Sequence, residues 1–103
     1  MKPQNKNDII KLIKENSGKI RSYGIDKIGL FGSFARNKPR DESDVDLLIE
    51  FNKDKKTYDN FINFAYFIES LLKRKVELVT PESVSPYIAP YIRKEVEYVK
   101  ILN

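Results

Sequence analysis

The sequence predicts an α+β fold, a small mixed β-sheet with helices packed on one of its faces. Three observations predict it. Two stretches, around Ile9–Ile20 and Phe61–Leu72, repeat apolar residues at helical spacing. Three short apolar runs, Ile25–Phe31, Val45–Phe51 and Val76–Val79, read as strands, the first ended by Gly32-Ser33 and the last by Thr80-Pro81. The two kinds of segment alternate along the chain, which favours one sheet covered by helices.

The first helix is expected from about Asp8 to Tyr23, with Ile9, Leu12, Ile13 and Ile20 on its apolar side and Lys11, Lys14 and Glu15 opposite. Gly18 weakens its middle, and Gly24 supplies a stop. Ile25 to Phe31 reads as a strand that ends at Gly32-Ser33. Ser33 can cap a short helix over Phe34-Ala35-Arg36-Asn37, which leads into the polar loop Lys38 to Ser43. A second strand spans Val45 to Phe51, and Asn52 to Lys56 is a charged connection. From Thr57 an amphipathic helix follows, carrying Phe61, Phe64, Ala65, Ile68, Leu71 and Leu72 on one face, and Lys73-Arg74-Lys75 closes it with the charge a helix C-terminus favours. The third strand is Val76 to Val79, stopped by Thr80-Pro81. The remainder holds Pro86 and Pro90 and is expected to finish in a helix through Tyr91, Ile92 and Glu95. Three strands would then form the sheet, and its uncovered face would be free to carry a site.

With 103 residues the chain reads as a single domain, 1–103. A domain of that size buries about 65% of the surface its unfolded chain exposes, enough to fold alone. Hydrophobic residues make up 41% and charged residues 33%, a balance that suits a globular protein. No apolar run approaches the ~20 residues of a membrane span, and Met1 to Lys6 hold no signal-peptide core, so a cytoplasmic address is expected. Cysteine and histidine are both absent. That excludes disulfides, thiolate zinc sites, cysteine nucleophiles and imidazole bases. Any metal would be hard and oxygen-ligated, which points to magnesium or manganese. The net charge of +4 comes from scattered basic residues and suits a nucleotide, a nucleic acid or an acidic partner equally.

Asp44 and Asp46 stand at i and i+2 where the second strand begins. Alternation sends both carboxylates to one face and Val45, Leu47 and Ile49 to the other. Adjacent carboxylates repel unless a proton or a cation intervenes, and a divalent ion relieves them without protonation. A lone Asp-x-Asp reads more readily as a solvated strand start. Its surroundings shift the balance, because Gly32-Ser33 lies eleven residues before Asp44 at a strand-to-helix junction. Glycine admits close approach of a ligand, a helix N-terminus offers free N–H groups to phosphate, and Ser33 adds a hydroxyl that also suits an ordinary cap. Glu77 is a further candidate: it sits mid-strand between Val76 and Leu78, where glutamate is disfavoured. It could reach the aspartates if the third strand lies beside the second, and a surface glutamate balanced by Lys75 is the competing reading.

Gly32-Ser33-Phe34-Ala35-Arg36-Asn37 followed by Ser43-Asp44-Val45-Asp46-Leu47-Leu48-Ile49 resembles the signature of the nucleotidyltransferase superfamily that includes DNA polymerase beta. The small size, and less specifically Pro86 to Val96, resemble its minimal nucleotidyltransferase (MNT) branch. That resemblance implies the nucleotidyltransferase fold and transfer of AMP from ATP with magnesium, two ions being expected. It also implies a partner, since members of the branch are commonly antitoxins of HEPN-domain ribonuclease toxins, and some modify a toxin tyrosine. Carried over by position, Gly32 and Ser33, with Arg36, would hold the triphosphate. Asp44, Asp46 and Glu77 would be both catalytic and metal-binding. The branch usually has aspartate where this chain has Glu77. Lys38 and Arg40 are further candidates for phosphate contacts. Direct nucleic-acid binding and a membrane are not expected. An antitoxin acting by contact alone, through Tyr87, Ile88, Tyr91 and Ile92, is the alternative, although a helix packed on its own core is the more ordinary use of those residues. A small-molecule nucleotidyltransferase is a third reading, disfavoured because such enzymes usually need another domain for the acceptor.

Overall fold

The computed structural model describes residues 3–36 and 44–101. The polar loop expected from Lys38 to Ser43, with Lys38 and Arg40, lies outside the described residues. The element order is α1 (Lys6–Glu15), α2 (Ser17–Ser22), β1 (Ile25–Phe31), α3 (Gly32–Ala35), β2 (Val45–Phe51), α4 (Tyr58–Leu72), β3 (Val76–Val79), a 3₁₀ turn (Pro81–Ser83), α5 (Ala89–Glu95) and β4 (Glu97–Lys100). The fold is α+β with a mixed sheet ordered β3-β2-β1-β4. β1 runs antiparallel to both β2 and β4, whereas β2 and β3 are parallel. A parallel pair needs a long crossover, and α4 provides it.

One sheet face is apolar. Ile28 and Leu30 of β1, Val45, Leu47 and Ile49 of β2 and Val99 of β4 join Ile9, Ile13 and Ile20 of α1 and α2 and Phe64, Ile68 and Leu72 of α4 in a single core. Thr57 caps α4 by accepting from the Asn60 N–H at 3.1 Å, and Lys73 ends the helix in the left-handed conformation, φ 53°. The neighbouring Arg74 is buried. Its Nε and Nη2 donate to the Pro3 carbonyl at 3.0 and 2.8 Å, and its guanidinium lies 5.0 Å from the Phe34 ring centre. The chain's opening residues and α3 are thereby tied to the end of the crossover.

Two expectations change. The helix expected over 8–23 is broken at Asn16, whose backbone leaves the helical region (φ −114°, ψ 19°) while its Nδ2 donates to the Leu12 carbonyl at 2.8 Å. A side-chain amide that bonds local backbone competes with the helix there. The sheet also has four strands rather than three, because the helix through Tyr91, Ile92 and Glu95 stops and Glu97–Lys100 pairs with β1. Val96, Tyr98, Val99 and Ile101 are strand-favouring residues, but apolar and polar positions do not alternate cleanly over 96–101, so the strand has no clear period-two signal. Without β4, β1 would be an unpaired edge. α1, α2 and α4 cover the core face, and α5 with the 3₁₀ turn reaches the other one: Ile92, Val84 and Pro81 line a cavity of about 230 Å³ with Leu48, Glu50 and Tyr98.

Among the described residues no helix is long and apolar enough to cross a membrane.

Ile68 is fully buried on the inner side of the crossover helix. Ile68→Ala is expected to cost about 2–5 kcal/mol, read as a lower urea midpoint with an unchanged slope.

Candidate active site

The parallel register of β2 and β3 pairs Val45 with Val76, Asp46 with Glu77, Leu47 with Leu78 and Leu48 with Val79. Asp46 and Glu77 are therefore direct cross-strand neighbours on the face turned away from the core. Like charges directly opposite each other destabilise a sheet. The repulsion falls on the Asp46 carboxyl, which holds its proton to a higher pH than an ordinary aspartate. The Asp46 carboxyl is pushed up to about 6, first by burial, then by the charge of Glu77 and its hydrogen bond, then by Asp44 and Glu95. Asp44 lies just before β2 and is exposed, as is Glu77, whereas Asp46 is half-buried.

β1 delivers the other half of the site. Its last residue, Phe31, pairs with Asp46, so Gly32 follows at the aspartate's side. Gly32 adopts φ +76°, and a Cβ built on it would overlap the Asp46 carboxylate. Only glycine satisfies both conditions. Ser33 lies in the first turn of α3 and does not cap it: the capping position is Phe31, with extended backbone and no side-chain bond to the helix. Arg36 closes α3, and its Nη1 donates to Glu95 Oε2 at 2.7 Å. The other oxygen of that carboxylate, Oε1, accepts from the Gly32 N–H at 3.0 Å.

The structure thus brings Gly32, Arg36, Asp44, Asp46 and Glu77 to one end of the open sheet face, with Ser33 beside Gly32. Sequence reading missed Glu95, which joins this group from α5. Its sequence signal is weak, since a glutamate ending a short helix is usually solvated. The metal question has two sides. Among the described residues no three or more acidic groups stand ready as a metal cage. The donor chemistry nevertheless fits a hard divalent ion: the donors are oxygen alone, and burial together with the neighbouring carboxylates raises Asp46 to about 6, so its ionised form lacks a compensating charge.

Two outcomes follow from this geometry. A carboxyl whose folded-state pKa is raised favours folding below its unfolded value and loses that contribution as pH rises toward 6. In metal-free buffer Asp46→Asn should therefore match the wild-type melting temperature near pH 4. It should exceed it above pH 6, by roughly 4–8 °C for about 1 kcal/mol after allowance for Asp46's half exposure. Gly32→Ala places a side chain into that carboxylate at a left-handed backbone position. It should lower stability by about 1–3 kcal/mol in chemical denaturation.

Residues 7–102 match the family described as the nucleotidyltransferase domain. The protein adenylyltransferase MntA of Thermococcus cleftensis is 36% identical over 77 residues, which is 75% of this chain and 77% of that protein. A solved structure described provisionally as a minimal nucleotidyltransferase is similar with a TM-score of 0.69 at 24% identity, covering 85% of this chain and 93% of that one. A chain of a toxin–antitoxin crystal structure with AMP-PNP is similar with a TM-score of 0.65 at 24% identity, covering 97% of this chain and 76% of that one. The two structural likenesses show the shared fold. With the signature glycine, arginine and carboxylates gathered at one end of that fold, and the family matched over nearly its whole length, the chain belongs to the nucleotidyltransferase domain family.

Proposed function

We propose that this protein is an antitoxin that transfers AMP from ATP, with magnesium, to a hydroxyl on a cognate HEPN-domain toxin, the acceptor being a tyrosine. The observation that carries this reading is the pairing of Asp46 with Glu77 beside Gly32, which concentrates negative charge where a nucleotide's cations are needed. The adenylyltransferase name of the Thermococcus relative supports the donor and the protein acceptor. The toxin–antitoxin chain of the same fold, solved with AMP-PNP, supports the partner and the nucleotide.

Asp44, Asp46 and Glu77 would hold the magnesium, which when bound lowers the acceptor hydroxyl's pKa and neutralises charge on the triphosphate. In the transfer, the acceptor oxygen forms a bond to the α-phosphorus as the bond to pyrophosphate breaks, in line. With no histidine in the chain, a carboxylate or water receives the acceptor's proton. Asp46, or Glu77 beside it, would receive that proton. Gly32 keeps this end of the sheet open to phosphate, Ser33 offers a hydroxyl, and Arg36 supplies a planar cation suited to phosphate oxygens.

Neutralisation by contact alone is a second reading, and one observation favours it. Tyr87, Ile88 and Tyr91 are 85%, 54% and 72% exposed, so this stretch does not pack on the protein's own core. Ile92 alone of the four is buried.

Incubation with α-labelled ATP, magnesium and a candidate HEPN-domain toxin separates the two. Label on the partner, reduced on the order of 100-fold by Asp46→Asn, is the expected result. Magnesium should also raise the melting temperature of the wild type at pH 7.5 and leave that of Asp46→Asn unmoved. An unlabelled partner that is still neutralised by Asp44→Asn/Asp46→Asn establishes contact inhibition instead.

A further inference from the structure

Glu95 is the acidic group of this site that the transfer chemistry does not use, and its surroundings are specific. One oxygen accepts from the Gly32 N–H and the other from Arg36 Nη1, residues 63 and 59 positions away. Its carboxylate adds negative charge beside Asp46, a cost that a neutral side chain would avoid. Its backbone is held on both sides. Ile92, one turn earlier, is buried, and the Val96 N–H donates to the Ile92 carbonyl at 2.8 Å. Val96 packs so closely on Gly29 of β1 that any Cβ there would overlap it. β4 then pairs with β1, Glu97 opposite Leu30 and Tyr98 opposite Gly29. Both ends of the Glu95 contact are thus mounted on β1, one through Gly32 and one through β4.

We infer that Glu95 is a positioning residue: its carboxylate fixes Arg36 in the arrangement that receives the triphosphate. The inference rests on the nucleotidyl-transfer reading and deepens it. An arginine has five N–H donors in a rigid plane, and a carboxylate on one edge fixes the direction of the rest. Arg36 is 54% exposed in its side chain, against 25% for Glu95, so the carboxylate is the more buried partner. A competing role has the opposite sign. A carboxylate that merely occupied the phosphate's donors would have to be displaced by the nucleotide, and its removal would tighten binding.

Calorimetric titration of the full chain with Mg-ATP distinguishes these roles. The variants are Glu95→Gln, Glu95→Ala, Arg36→Ala and the double alanine, with melting temperatures to confirm folding. Glu95→Ala is expected to weaken binding about 10-fold, as loss of a group that orients a binding side chain does. Glu95→Gln, which keeps one acceptor without the charge, should restore part of it, and carries the test if the alanine variant does not fold. The double variant should bind no more weakly than Arg36→Ala, since Glu95 acts through that arginine. In labelled-transfer kinetics Glu95→Gln should raise KM for ATP more than it lowers kcat. Tighter or unchanged binding in the Glu95 variants, or losses that add to those of Arg36→Ala, overturn the inference while leaving the transfer reading in place. A wild-type chain that takes up no Mg-ATP overturns both.

Discussion

The arrangement turns on two like charges held opposite each other in a parallel strand pair. Asp46 and Glu77 face one another across β2 and β3, a placement that costs stability in a sheet chosen for folding alone. Burial and the facing charge of Glu77 push the Asp46 carboxyl up to about 6, so it keeps its proton to a higher pH than an ordinary aspartate. Sites that need a cation commonly store such repulsion, because the ion then binds where charge is already in excess.

The rest of the fold makes that placement obligatory. Because side chains alternate along a strand, burying Val45, Leu47 and Ile49 against α4 turns Asp46 to the other face. A slip of one residue in register would bury the carboxylate and expose the core, so the hydrophobic pattern fixes the chemistry by exclusion. The α4 crossover, capped by Thr57 and closed at Lys73, returns the chain so that β3 runs parallel to β2. Arg74 then ties the chain's opening residues and Phe34 of α3 to the same corner.

The C-terminal unit contributes more than a sheet edge. α5 and β4 bring Glu95 against the Gly32 turn, while Ile92 closes over Leu48 on the face that carries the carboxylates. This leaves Tyr87, Ile88 and Tyr91 outward. The exposed strip and Glu95 therefore belong to one short segment.

Strong local signals made much of this legible in the sequence. The apolar period of α4, the Val45–Phe51 strand, the Val76–Val79 strand and the glycine that ends β1 all follow from neighbouring residues, and so does the shared face of Asp44 and Asp46. The break at Asn16 depended on one side-chain amide bonding backbone, and Ser33's place inside α3 depended on where Gly32 bends, so neither was fixed by pattern. The fourth strand had strand-favouring residues without a clean alternation, and it needed β1's open edge to give it a partner. Pairing of Asp46 with Glu77, and the reach of Glu95 across more than half the chain, were decided only by tertiary structure. Periodicity specifies which face a side chain takes, whereas the choice of neighbouring strand is set by the burial and backbone pairing of the whole sheet.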